Sequence, residues 1–187
     1  MQRKKQKRIS TKRLTTLAVL CAMASVMYIV ESLFPPLFVP GAKMGLSNVF
    51  TLFALFALGS IDGIVVAIVK SLIGTLVAGN MSMLLYSLTA SLVSVVLSAV
   101  LIRFVYPKIG IVAISTVSAV INNLVQNLVF CVISNTPEMY VYMPYLALVG
   151  ILAGIIVGFA VYFALKLVPG SLLACNLDED AETSKNN

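Results

Sequence analysis

The sequence has no histidine and no tryptophan, and only 11% of its 187 residues are charged. Without histidine there is no Ser-His-Asp triad, no Cys-His pair, and no His-ligated zinc or haem. The three cysteines, Cys21, Cys131 and Cys175, stand far apart and form no CxxC. They are too few for an iron–sulfur cluster and do not read as a disulfide framework. Cys21 and Cys131 read as small apolar helix residues; palmitoylation is an alternative at Cys175. What remains is apolar: 60% of the chain is hydrophobic, and mean hydropathy is +1.03. A soluble domain has about 45–50% apolar and about 25% charged residues. The composition therefore excludes an ordinary soluble protein, a disordered chain and a collagen-like fibre. It points to an integral membrane protein.

The net charge of +6 is unevenly placed. Residues 1–13, MQRKKQKRISTKR, hold seven Lys/Arg and no acid, while the rest holds six Lys/Arg against seven Asp/Glu. A basic run beside an apolar span sets topology and touches anionic lipid more often than it binds nucleic acid. We read residues 1–13 as a basic cytoplasmic N-terminus and 14–168 as the membrane domain. Residues 169–187 read as an acidic, disordered cytoplasmic tail.

A spanning helix needs about 20 mostly apolar residues. Six segments qualify: 14–34, 45–60, 62–79, 82–106, 109–134 and 143–167. The first continues past its Ala22-Met23-Ala24 sequence, so it reads as a helix and not as a cleaved signal peptide. The second and third are parted by Gly59-Ser60-Ile61-Asp62-Gly63, with Asp62 suited to an N-cap. The fold expected is all-α: a polytopic membrane protein with six transmembrane helices in the cell membrane. Both termini are expected in the cytoplasm by the positive-inside rule, with Arg103, Lys108 and Lys166 at the inner face. No internal repeat is evident.

Small residues suggest packing faces. Gly150, Gly154 and Gly158 form a GxxxGxxxG ladder on the sixth span, and Ser87, Ser91, Ser94 and Ser98 a stripe on the fourth. Both are expected to pack within the bundle. Ala18 and Ala22 have the same spacing on the first span and equally suit packing or docking of a partner membrane protein.

Ionisable groups in a bilayer are costly and point to function. Here they are Glu31, Lys43 and Lys70, joined by the amides Asn48, Asn122, Asn123, Gln126 and Asn127. At about 1.5 Å of rise per residue, Glu31 lies about 27 Å above the inner end of its span, and Asn123 and Gln126 about 21–26 Å up. Asn48 falls just below the outer surface. Asn123 and Gln126, three apart, share a face, while Asn122 points about 100° from Asn123. The proline-rich loop 35–43 is expected to bring Lys43 toward this outer cluster. The two readings are a pocket open to the outside and a structural hydrogen-bond network. Lys70, about 11 Å up, is too deep to pair with Glu31, and its role is open. Tyr140, Tyr142 and Tyr145 flank the last outer loop, where interfacial tyrosine is common with or without a ligand.

The stretch Glu31-Ser32-Leu33-Phe34-Pro35-Pro36-Leu37-Phe38-Val39-Pro40-Gly41-Ala42-Lys43-Met44-Gly45-Leu46-Ser47-Asn48 resembles the E…P…PG-x-K-x-G-x-[AS]-N signature of the Gx transporter family. That family is also described as heptaprenyl diphosphate synthase component I. Asn122-Asn123-Leu124-Val125-Gln126 is similar to its HN-x-x-Q motif. Asn122 stands where histidine is usual, which argues against a proton relay there. The likeness covers roughly residues 14–165. The family is in turn similar to the substrate-binding S-components of energy-coupling factor transporters. That likeness implies an outward-facing site capped by the first outer loop, and an AxxxA motif on the first helix for docking the coupling subunit. Ala18 and Ala22 match that motif. The site residues implied are Glu31, Lys43, Asn48, Asn123 and Gln126, the same residues the depth argument selects.

The expected function is capture of a small molecule from outside for uptake, with no cofactor or metal. The sequence holds no P-loop, so energy would come from partner ABC ATPases and a coupling membrane subunit, or from an ion gradient. The synthase description implies another class. Prenyl elongation needs Asp-rich motifs around Mg²⁺ and diphosphate, and the sequence holds no DDxxD. The alternatives are a non-catalytic accessory subunit of prenyl diphosphate or quinone metabolism, or a membrane component of a flavin or quinone redox system.

Overall fold

The computed structural model describes residues 11–33, 45–79, 81–106 and 108–168. Lys43, Cys175, the basic run up to residue 10 and the acidic tail 169–187 lie outside the described residues. The described chain forms six α-helices: α1 (Thr11–Leu33), α2 (Asn48–Ala57), α3 (Ser60–Ala78), α4 (Met81–Phe104), α5 (Ile111–Ser134) and α6 (Met143–Leu167). A 3-10 segment, Pro137–Tyr142, precedes α6, and the described residues contain no strand.

Five of the helical segments are long and apolar enough to cross a membrane. The expected second span is the exception. It is a ten-residue helix, about 15 Å long and half a bilayer deep. Its apolar run extends further in sequence, but Gly45 to Ser47 are not helical.

Helix directions follow from named contacts. The Arg13 guanidinium pairs with Asp62 at the starts of α1 and α3. Further along, the Tyr28 hydroxyl lies 3.5 Å from Thr75 Oγ1. α1 and α3 are therefore parallel, and the chain between them must return to its starting end. α2 covers the second half of that return, and its Leu58 carbonyl accepts from Arg13 at 3.0 Å. α4 runs against α5, since Tyr86 stacks on Phe130 while Ser94 meets Asn122. α6 runs against α5, with Gly150 beside Val120 and Gly158 beside Val112. The first and last helices thus begin and finish at one end. Lys12, Arg13, Arg103, Lys108 and Lys166 all lie there; Lys70 is the remaining described cation.

α2 is the most enclosed element. It packs on α1, α3, α4 and α6, and Leu52, Ala54, Leu55, Phe56 and Ala57 are buried. The outer faces of the long helices carry exposed Val19, Val26, Leu76, Val132, Leu152 and Phe163, among others. Such an apolar exterior suits lipid contact. The Gly150–Gly154–Gly158 ladder lies directly on the α5 backbone, as a small-residue packing face should.

Asp62 does not act as the N-cap the sequence suggested. Gly59 holds that position with φ of 116°, and no side chain caps the helix. This φ is open to glycine because it lacks Cβ. Asp62 sits within the first turn of α3 and is used across the bundle by Arg13. The Arg13 side chain is 42% exposed, so the ion pair itself contributes little. Arg13→Ala also leaves the Leu58 carbonyl without its donor. We expect a loss of roughly 1–2 kcal/mol, read as a lower thermal midpoint in detergent. An unchanged midpoint would show that the pair does not fasten this end.

Candidate functional site

The site begins with a helix that starts inside the bundle. Gly45 turns the chain with φ of 72°, and a Cβ there would stand 3.0 Å from Asn48 Nδ2. Asn48 N–H then donates to the Gly45 carbonyl at 2.9 Å. The Ser47 side chain makes no cap bond to the helix. The cap comes from α1. One Glu31 oxygen accepts the Leu46 N–H, and the other accepts the Ser47 hydroxyl at 3.0 Å. A carboxylate at a helix start is favourable, because the unpaired N–H groups there carry partial positive charge.

From α3, the Lys70 ammonium donates to Asn48 Oδ1. Lys70 is 1% exposed. A second span starting at the membrane face would put Asn48 just under the surface and Lys70 far from Glu31. Counted from Leu58, Asn48 is about 15 Å above the Arg13 end, and Lys70 is about 12 Å above Asp62. The non-helical approach to α2 lowers Asn48 to the level that Lys70 reaches. Glu31, about 27 Å above Arg13, reaches down to the residues just before it.

Tyr28 forms a wall one turn before Glu31. Its hydroxyl donates to Ser87 Oγ at 2.7 Å. Its ring lies where a Gly74 side chain would be, with Cδ1 2.0 Å from the Cβ position. On α5, the amides divide into two faces. Asn122 and Gln126 line a cavity with Tyr28, Glu31, Asn48, Lys70, Ser87 and Ser91. Asn123 and Asn127 turn the other way. Their Nδ2 groups donate to the Leu146 and Met139 carbonyls, at 3.4 and 3.1 Å.

Of the residues the sequence nominated, Glu31, Asn48 and Gln126 therefore meet in one cavity, and Asn123 is not in its lining. Sequence reasoning passed over Tyr28, set Asn122 aside as pointing away from Asn123, left Lys70 without a role, and read Ser87 and Ser91 as packing. Two signals were available: Tyr28 lies three residues before Glu31, and Asn122 four before Gln126. Tyr140, Tyr142 and Tyr145 are partly exposed and do not line the cavity.

The cavity measures about 260 Å³ with its open mouth, and its enclosed part has room for about one water-sized group. Its lining mixes a carboxylate, an ammonium, amides and hydroxyls. Gln126 is 3% exposed, and its Nε2 donor has no partner among the described residues. A buried donor left unpaired is unfavourable, so this one is suited to an arriving acceptor. Ala18 and Ala22 lie elsewhere, on the outward face of α1 and exposed.

These features define a helical protein built for a membrane, with a polar cavity enclosed by α1 to α5. The chain belongs to the heptaprenyl diphosphate synthase component I family, whose model matches residues 20–164. That span includes every residue lining the cavity. A search of curated proteins finds no match.

Proposed function

We propose that this chain is a membrane solute-capture subunit of the S-component type, taking a small molecule from the outer side of the cell membrane. The observation that carries this reading is the polar cavity inside an otherwise apolar bundle. Polar groups in a bilayer are retained where they serve a pathway or a ligand. The cations clustered at one end support a cytoplasmic placement of that end. Glu31 and Ser47 then belong to the outer half, where a solute would arrive. Ala18 and Ala22 present a small-residue face on α1 against which a coupling membrane subunit can pack closely. The sequence holds no P-loop, so ABC ATPases reached through that subunit would supply the energy.

The family description favours a second reading, an accessory membrane subunit of a prenyl diphosphate synthase. One experiment separates the two. The full chain is purified in mild detergent from its native membrane, and co-purifying proteins and metabolites are identified by mass spectrometry. The capture reading expects a coupling subunit, paired ATPases and a bound solute. A soluble prenyl synthase without ATPases or solute would overturn it. In the same preparation, Ala18→Leu with Ala22→Leu should release the coupling subunit and retain the solute. Retention of both would remove α1 as the docking helix.

A further inference from the structure

Resting on the solute-capture reading, we propose that the cavity recognises a carboxylate group of its solute, with Lys70 meeting the charge and Gln126 donating to the second oxygen. Three observations lead there. Lys70 brings an ammonium into the cavity lining while being 1% exposed. Gln126 lines the same cavity with a buried, unpartnered N–H donor. Ser91 lines the cavity too, and a serine hydroxyl can donate as well as accept.

Glu31 does not make the site a cation receptor. Both its oxygens are engaged by Leu46 and Ser47, so its charge is used to hold α2. The enclosed part has room for about one water-sized group, so a carboxylate would seat one oxygen there and leave its other atoms and the body of the solute in the open mouth. A planar monoanion with two acceptor oxygens fits a single ammonium and an amide N–H. A phosphate dianion fits less well. It would bring two negative charges beside Glu31 with one lysine to offset them, and uncompensated charge at low dielectric is strongly unfavourable.

The test uses the full-length protein in detergent, in a buffer free of carboxylates, with thermal midpoint as readout. Sodium acetate, acetamide and sodium phosphate are titrated at ionic strength held constant with sodium chloride. Acetate should raise the midpoint saturably, acetamide should not, and phosphate should act more weakly than acetate. Lys70→Met should weaken the apparent acetate affinity at least tenfold, and Gln126→Leu several-fold. Gln126 forms no side-chain N–H bond among the described residues, so its variant tests the site even if Lys70→Met does not fold. Equal action of acetamide, stronger action of phosphate, no effect of acetate, or an acetate response unchanged in Gln126→Leu would each overturn the inference. A neutral cargo in the co-purification would also overturn it while leaving the capture reading intact. A prenyl synthase recovered without cargo would overturn the capture reading itself.

Discussion

Gly154→Val is expected to be the most damaging single substitution in the bundle. A Cβ at Gly154 would stand 2.5 Å from Thr116 Cα and 3.1 Å from both Ala119 Cβ and the Ser115 carbonyl oxygen. The nearest obstacle is backbone, which cannot rotate aside. The neighbouring rungs repeat the arrangement: Gly150 would meet Val120 Cα at 2.9 Å, and Gly158 Val112 Cα at 2.7 Å. One branched side chain at the middle rung must therefore push α6 off α5 along its length. Overpacking a core usually costs about 1–3 kcal/mol. Here the penalty should reach or exceed the upper figure. Lipid is as apolar as the helix faces, so association in the bilayer depends on close van der Waals packing. Separation forfeits that packing over all three rungs. Because α5 carries Asn122 and Gln126, the cavity should lose its wall and, on the solute-capture proposal, the protein should lose its solute. The measurements are thermal midpoint and retained metabolite, with Ile156→Val as control. Ile156 is 62% exposed on the outer face of the same helix, so its variant should stay within about 0.5 kcal/mol of the parent. A Gly154→Val protein with parental stability would mean that α6 does not lie this close to α5.

That ladder was legible in the sequence because a repeat of four on a helix is one face, whatever the rest of the protein does. The long spans were legible for a similar reason, and α6 was expected over the residues where it is found. The cavity was harder to read. Its partners depend on where α2 begins, and an apolar run does not reveal that its first residues descend as turn and not as helix. Placing Asn48 at the surface separated it from Lys70, and one error of depth removed Lys70 from the site. The α5 amides posed a different problem. Pairs three and four residues apart are offset by about 60° and about 40° around a helix. Spacing alone could not decide whether Gln126 shares its working face with Asn123 or with Asn122. Contact with Leu146 on α6 decides it, by drawing Asn123 away. Asp62 was misjudged because its local sequence suits a cap, while its partner Arg13 lies 49 residues earlier. Ser87 and Ser91 carry no mark that separates a packing stripe from a cavity wall, since a small hydroxyl serves both.

Glu31→Ala and Glu31→Gln should behave very differently, and the contrast tests what this acid is for. In the parent, two donors converge on one carboxylate: the Leu46 N–H and the Ser47 hydroxyl. Alanine removes the acceptor from both. A donor left unpaired in a buried setting costs about 1–3 kcal/mol, and losing the negative charge at the start of α2 adds about 0.3–1 kcal/mol. The expected loss is roughly 3 kcal/mol, with α2 released from α1 and, on the solute-capture proposal, solute retention abolished. Glutamine keeps the length of the side chain and can satisfy both positions. Its carbonyl oxygen accepts from Leu46, and its NH₂ donates to the Ser47 oxygen once that hydroxyl rotates, because serine both donates and accepts. Only charge assistance is lost, so Glu31→Gln should cost about 1 kcal/mol and retain solute. Ser47→Ala in the glutamine background removes the partner of the new NH₂ and should restore much of the alanine defect. Thermal midpoints of the three proteins, with solute retention measured beside them, check this order. A contrary result is equally informative. If Glu31→Gln keeps the parental midpoint yet loses its solute, the carboxylate meets the ligand directly. The cavity would then be reading a cationic group, and the positive side of the site would have to be reassigned from recognition to support.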